Sequence, residues 1–512
     1  MSLPVELTPE LPISEQFRPE YLLDCGILPL RVVEARLEVA ACGDPDPDVL
    51  QDLTLFYAAT VTLIPLERDV LEEAIRRAFA ASESVGDLVR GLEGDLDIDA
   101  AMGGDEPTDL RNLANQPPVI RYVNLLVREA FDTGASDVHL EATRDGLRAR
   151  IRLDGVLTEI ASPPRGLQHA VVSRVKLLAS LDIAERRAPQ DGRIRVRLEE
   201  RDLDLRVATV PTLHGESVVL RLLDRGGRPV TLEELGMSDD LTRQVQRLAQ
   251  RPHGIVLATG PTGSGKTTTL YAALGLRDPA AEKIVTVEDP VEYHLSGVTQ
   301  VPVHAKAGVT FAAALRSLLR QDPDVMMIGE MRDPETAGIA VQAAMTGHLV
   351  FSTLHTNDAL AALTRLADLK VEPYMVAATV EGVLAQRLVR RICADCREAY
   401  EPETAVVELM RVEEREPGPA VQLAGRRAPR TSLFRGSGCA TCRGTGYRGR
   451  TAIAELLLMS DEIRQGLLAA TGLPRLREIA RTQGMATLRQ DGWRKVRAGV
   501  TTVEEVLRVA AD

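Results

Sequence analysis

At 512 residues the chain is too long for a single core, because domains typically run about 100–200 residues, and three or four folding units are expected. Hydrophobic residues at 45% and charged residues at 26% are ordinary for globular chains, so burial can offset chain entropy without a disulfide scaffold. Lys+Arg 61 against Asp+Glu 74 leaves a net charge of −13, and with 3% aromatic residues this argues against nucleic-acid binding and against adhesion to an anionic bilayer.

Residues 1–81 read as a small N-terminal α/β module. Arg36-Leu37-Glu38-Val39-Ala40 alternates like a strand, Asp48 can cap a helix over Val49–Ala59, and Thr60–Ile64 is β-branched. Val70, Leu71, Ala74, Ile75, Ala78 and Phe79 then form one helical stripe. Residues 82–115 change character: Gly86, Gly91, Gly94, Gly103 and Gly104 lie among many acids, the composition of a flexible linker.

A second module, 116–229, opens on Gln116-Pro117-Pro118 with a helical pattern through Val119, Val123, Leu126 and Val127. Strand-like runs follow at Leu147–Leu153, Arg193–Leu198, Leu203–Val210 and Ser217–Leu222, with a helix over Gln168–Ser180 between them. In 230–390 short apolar runs alternate with helical patterns, the signature of a parallel sheet wrapped by helices. Residues 391–447 hold a cysteine-bearing insert and 448–512 are mainly helical, with a capping-box spacing at Thr502-Val503-Glu504-Glu505.

No apolar run approaches the ~20 residues of a membrane span, and no apolar segment precedes the first basic residue, Arg18. The protein is expected in the cytoplasm, meeting a membrane through partners only. Of six cysteines, Cys25 and Cys42 stand apart, while Cys393, Cys396, Cys439 and Cys442 form two CxxC pairs. Four soft thiolates so arranged suit a tetrahedral structural Zn²⁺ better than a redox dithiol, with the middle of the insert, including Glu413–Pro419, looping out.

The chemistry centres on Gly260-Pro261-Thr262-Gly263-Ser264-Gly265-Lys266-Thr267. Ile255–Thr259 reads as a buried strand running into it and Thr267–Leu274 as a helix leaving it, the context a phosphate-binding P-loop requires. The glycines let successive N–H groups face phosphate oxygens, and the helix adds its positive end. Lys266 supplies a mobile charge to the β/γ-phosphates, Thr267 a hydroxyl for Mg²⁺, and Thr268 continues the first turn.

Downstream, Ile284–Val287 is strand-like and ends at Glu288-Asp289-Pro290, and Val325–Ile328 leads through Gly329 to Glu330. Acids at the C-terminal ends of parallel strands face the ligand crevice, so Glu288 and Glu330 are candidates to polarise water or to hold Mg²⁺. His348 and His355 flank a third strand, Leu349–Leu354, as candidates to sense the γ-phosphate.

With the P-loop, Val287-Glu288-Asp289-Pro290-Val291-Glu292-Tyr293, Leu318–Asp324 through Glu330, Thr346-Gly347-His348 and Ser352–Asn357 in this order, the chain resembles the secretion traffic ATPases of type II and type IV systems (GspE, PulE, PilB). The likeness extends to Gly134–His139, Arg152–Leu157, Pro189–Arg193, Leu384–Leu388 and Gly446–Thr451, covering about Gln116 to the C-terminus. The cysteine pairs and Leu181–Glu185 look most like GspE, the type II assembly ATPase, with the pilus-extension ATPase PilB as the alternative.

The resemblance implies a multi-domain α/β protein: a RecA-like P-loop core with a parallel sheet, preceded by a PAS-like α/β domain and a small N-terminal α/β domain. It implies a homo-hexamer using ATP, Mg²⁺ and Zn²⁺, with sites completed by Arg193 and Arg206 from the second module and by Arg316, Arg320 and Arg332 from the core. The N-terminal domain would dock a GspL-like inner-membrane protein and hydrolysis would drive a GspF-like platform during pseudopilus assembly, with no nucleic-acid partner.

Overall fold

The computed structural model describes residues 11, 13, 17, 19–33, 36–43, 45–57, 59–80, 85, 86, 88, 89, 107–198, 201–224, 230–414 and 432–510. They divide into two compact units, the first ending at Leu222 and the second beginning at Leu223 and taking in residues 154–156 and 195–204.

In the N-terminal part, β1 (Ile27–Val33) runs antiparallel to β2 (Arg36–Ala41), which pairs in parallel with β3 (Thr60–Pro65). Helices Pro19–Cys25, Pro47–Tyr57 and Arg68–Ala80 accompany them. Leu37 and Val39 point into the same core as Leu28, Leu30, Leu53, Leu71 and Ile75, as the period-2 and helical stripes require. The second helix starts at Pro47, two residues before the sequence expectation, and Asp46 rather than Asp48 supplies the side-chain acceptor, for the Asp48 N–H at 3.0 Å. Proline at a first helical position needs no N–H partner, which favours this earlier start.

Most of the stretch read as a linker lies outside the described residues, yet Val85, Leu88 and Val89 are helical and buried, and Pro107–Ala114 is a helix. The 85, 88, 89 spacing makes a short apolar stripe, which a count of glycines and acids passes over.

The next sheet has six strands, β4 (Asp137–Thr143), β5 (Gly146–Leu153), β6 (Val156–Glu159), β7 (Gln190–Leu198), β8 (Arg201–Thr212) and β9 (Gly215–Asp224), in the order β6-β5-β4-β9-β8-β7. Helix Pro117–Asp132 buries Val119, Tyr122, Val123 and Leu126, and helix Gln168–Leu178 carries Lys176, whose buried ammonium donates to Glu216 at 2.7 Å.

The second unit is built on β10 (Gly254–Thr259), β11 (Ile284–Glu288), β12 (Thr299–Pro302), β13 (Val325–Ile328), β14 (Leu349–Leu354) and β15 (Val380–Ile392), all parallel, in the order β12-β11-β13-β14-β10-β15. A small hairpin of β16 (Arg397–Tyr400) and β17 (Leu433–Gly436) leaves the cysteine insert, and β18 (Tyr447–Leu458) returns antiparallel along β15 as a seventh strand. The centre of the insert from residue 415 lies outside the described residues, and helix Thr404–Glu414 precedes it.

Helices cover both faces of this sheet, so its strands are buried continuously. Ile255 and Leu257 belong to one apolar cluster with Met326, Ile328 and Val350, while Val256 and Ala258 belong to another with Met327, Leu349 and Phe351. Two-sided burial explains why these strands read as unbroken apolar runs.

Candidate nucleotide-binding site

The loop leaving β10 enters helix Lys266–Leu274 with Gly265 as its N-cap at φ +87°. A Cβ at Gly260 would lie 2.5 Å from the Gln386 carbonyl oxygen, and one at Gly265 2.8 Å from the Gln386 side-chain nitrogen, so both positions admit only glycine without rearrangement. Gly263 is also left-handed, at φ +77°. Pro261 and Thr262 are exposed, Ser264 is buried, and Thr267 and Thr268 are half-buried in the helix's first turn. Lys266 folds back on its own loop, donating to the carbonyls of Gly260 at 2.8 Å and Pro261 at 2.9 Å. Its burial pulls the ammonium down to about 8, against the opposing charge of Glu330.

Glu330, two residues beyond β13, forms an ion pair with Arg332, whose Nε lies 2.7 Å away, and is 3.5 Å from His355 Nε2. Burial and the nearby Lys266 charge hold the His355 imidazole below its usual range, while Glu330 opposes them. The loop after His355 is tied to β10: Thr356 N–H donates to the Thr259 hydroxyl at 2.9 Å, and the two hydroxyls are 2.7 Å apart. The ends of three adjacent strands, β13, β14 and β10, thus bring Glu330, His355 and Lys266 together.

Glu288 sits differently. Its carboxylate is 2% exposed and accepts from the Tyr271 hydroxyl, from Thr286 at 2.5 Å and from Gln300 Nε2 at 3.2 Å. Burial, with the Glu288 charge, pushes the Tyr271 phenol well above its ordinary range, so it remains a donor. In this conformation Glu288 faces these three donors, and the carboxylate open toward the loop is Glu330.

His348 is not brought to the site. It precedes β14, so a strand of about 20 Å separates it from His355. Its Nδ1 lies 2.8 Å from the Ala343 carbonyl and 3.1 Å from the Thr346 hydroxyl. Neighbouring places in sequence, one before and one after a strand, become opposite ends of that strand. Of the core arginines, only Arg332 touches an acid of the site; Arg316 pairs with Glu335, and Arg320 is exposed in the turn after helix Phe311–Leu318. Arg193 is exposed on β7 and Arg206 half-buried on β8, both in the first unit.

The four cysteines converge. Sγ atoms of Cys393 and Cys439 are 3.9 Å apart, Cys396 and Cys442 3.8 Å, Cys439 and Cys442 3.7 Å, and all four lie within 4.8 Å of one another. A tetrahedron with ligand arms of about 2.3 Å has edges of about 3.8 Å, so this donor set is spaced to hold a metal ion. Burial would raise the Cys442 thiol, but N–H donors from Cys439 at 3.1 Å and Gly446 at 3.2 Å outweigh it and bring it down to about 6.

The sequence model of the type II/IV secretion system protein family matches residues 112–508. This chain belongs to that family. It is 47% identical over 455 residues, 89% of its length and 91% of the relative's, to the type II secretion system protein HxcR of Pseudomonas aeruginosa. To the type II secretion system ATPase E of Vibrio cholerae it is 44% identical over 453 residues, 88% and 87% of the two chains. Among solved structures it is similar to the pilus retraction motor PilT with bound ADP, at 26% identity and TM-score 0.51, over 76% of this chain and 96% of that one.

In the sequence of this secretion ATPase, Gln386, Arg387 and Asn357 stand out only within the family resemblance, and Tyr271 carries no signal of a role. Gln386 is fully buried beneath the P-loop and accepts from Thr269 at 2.7 Å, while Arg387 donates to the Gln386 carbonyl at 3.2 Å and to the Asn357 carbonyl at 3.0 Å. A polar pair in the middle of the largely apolar β15 was the available signal. Only the strand order shows that β15 neighbours β10.

Proposed function

We propose that this type II secretion ATPase works as a homo-hexamer, binding ATP on the loop Gly260–Thr267 and hydrolysing it to drive an inner-membrane platform during pseudopilus assembly. The observation that carries the reading is the meeting of Lys266, Glu330 and His355 at the ends of adjacent parallel strands. Loop N–H groups and Lys266 would take the phosphates, and the Thr267 hydroxyl would ligate Mg²⁺, which supplies charge to the γ-phosphate. Glu330 then orients the attacking water, and His355, held neutral, hydrogen-bonds near it. Glu288 joins this set only when nucleotide or assembly frees it from Tyr271. Arg193 and Arg206 of a neighbouring copy, with Arg316, Arg320 and Arg332, would neutralise developing phosphate charge.

The cysteine donors fit Zn²⁺ in chemistry and spacing, which supports a structural zinc closing the insert. Among the described residues no helix is long and apolar enough to cross a membrane, in keeping with a peripheral place reached through partners. The N-terminal part exposes Leu55 at 73% and Phe56 at 61%, an apolar surface suited to a docking protein of the GspL kind, with a GspF-like platform as the moving load.

The test is ATP hydrolysis and complementation of secretion by Lys266→Ala. Both are expected to be lost, and hydrolysis at the parent rate would overturn the reading. Stimulation by DNA, rather than by the membrane partners, would instead favour a nucleic-acid motor.

A further inference from the structure

Two buried polar groups beneath the P-loop have no hydrogen-bond partner among the described residues, the Gln386 Nε2 amide and the Ser264 hydroxyl. Buried polar groups are ordinarily satisfied, so two together mark a place where something is to be completed. Both border Gly265. The register places Thr259 against Ala385, so Gln386 lies just where the loop leaves β10. Its Oε1 accepts from Thr269 on the P-loop helix at 2.7 Å, which turns Nε2 toward Gly265. Thr269 in turn lies 3.1 Å from the Gly265 carbonyl, and Arg387 donates to the Gln386 main chain at 3.2 Å. The amide is therefore held in one orientation, with its donor aimed at the loop and unused.

In the same state Lys266 is bonded to the carbonyls of Gly260 and Pro261. A phosphate is a stronger acceptor for the ammonium than either neutral carbonyl, so nucleotide binding draws Lys266 toward it and lets the loop resettle.

Resting on the phosphate-loop reading above, we infer that Gln386 is a positioning residue for the P-loop: its side-chain amide seats the loop on β15, and its free N–H donor is taken up when a nucleoside phosphate draws Lys266 away. The donor is idle without nucleotide and bonded with it, so the side chain stabilises the bound state selectively. A residue that only fills space would stabilise both states equally.

The experiment uses the full chain with a fluorescent ADP analogue for affinity and thermal unfolding without nucleotide for stability. Gln386→Met keeps the length and removes the amide. Affinity is expected to fall about tenfold, roughly one hydrogen bond's contribution, while the midpoint of unfolding without nucleotide stays level or rises because an unsatisfied buried amide is gone. Thr269→Val, which lets the amide rotate, should weaken binding by a smaller factor, and it serves alone if Gln386→Met fails to fold. Parent-like affinity in a folded variant, or affinity and nucleotide-free stability lost in parallel, overturns the inference. A parent chain that does not take up the analogue overturns the phosphate-loop reading and this one with it.

Discussion

Replacing Glu330 by Gln removes one charge and keeps the shape, and the structure says what should follow. The Glu330 side chain is 13% exposed, ion-paired with Arg332 at 2.7 Å and 3.5 Å from His355, and it carries no fold-critical hydrogen bond among the described residues. E330Q should therefore fold with parental stability and still bind nucleotide, since the loop N–H groups and Lys266 are intact. What it loses is the negative charge that orients and polarises water. A positioned general base contributes about 10²–10⁴ in rate, equivalent to about 3–5 kcal/mol of barrier.

Glu288→Gln gives the contrast. An amide cannot accept at both ends, so at least one of the bonds from Tyr271, Thr286 and Gln300 is lost in a buried site, at a cost of about 1–3 kcal/mol. E288Q is expected to lower the thermal midpoint by several degrees along with activity, and E330Q to lower activity alone. Single-turnover hydrolysis with saturating ATP, beside thermal unfolding of each variant, measures both. An E330Q chain that turns over ATP within about threefold of the parent would refute the role given to Glu330.

Gly265→Ala forces a Cβ onto a left-handed residue, 2.8 Å from the Gln386 nitrogen, and is expected to cut nucleotide affinity by more than about tenfold while leaving the far-ultraviolet circular dichroism unchanged. Titration with a fluorescent nucleotide reads it. Metal analysis should find about one zinc per chain, and Cys442→Ser or a strong chelator should release it and lower the unfolding temperature. A fully folded, metal-free parent would end the zinc claim.

For pH, burial alone would raise the Glu505 carboxyl, but guanidinium groups of Arg508 and Arg390 overcome it and hold it at about 2, against 4.5 unperturbed. A depressed carboxyl contributes stability that is full above its unfolded pKa and is lost as pH falls through the folded one. About 3 kcal/mol should thus disappear between roughly pH 5 and 2. Equilibrium unfolding of Glu505→Gln against the parent should show that acid dependence reduced, and an unchanged slope would sink the assignment.

What could be read in order along the chain was what local chemistry dictates. Gly260–Thr267 needs its glycines for left-handed backbone and close approach, so its composition alone announces a phosphate loop. The apolar runs of β10, β13 and β14 announced buried parallel strands, because two-sided burial leaves no polar alternation to hide them. Two CxxC pairs named a metal site, since thiolates at that spacing have few other uses.

Tertiary structure decided which ends of those strands meet. His348 and His355 look equivalent in sequence, but one strand puts them at its opposite ends, and of the two only His355 reaches Glu330. Glu288 and Glu330 both end strands, yet Tyr271, Thr286 and Gln300 enclose the first and leave the second open. Gln386 lies over a hundred residues beyond the P-loop and comes beneath it because β15 pairs with β10. Side-chain direction and strand order arise from pairing between distant segments, whereas the loop's chemistry is contained in eight consecutive residues.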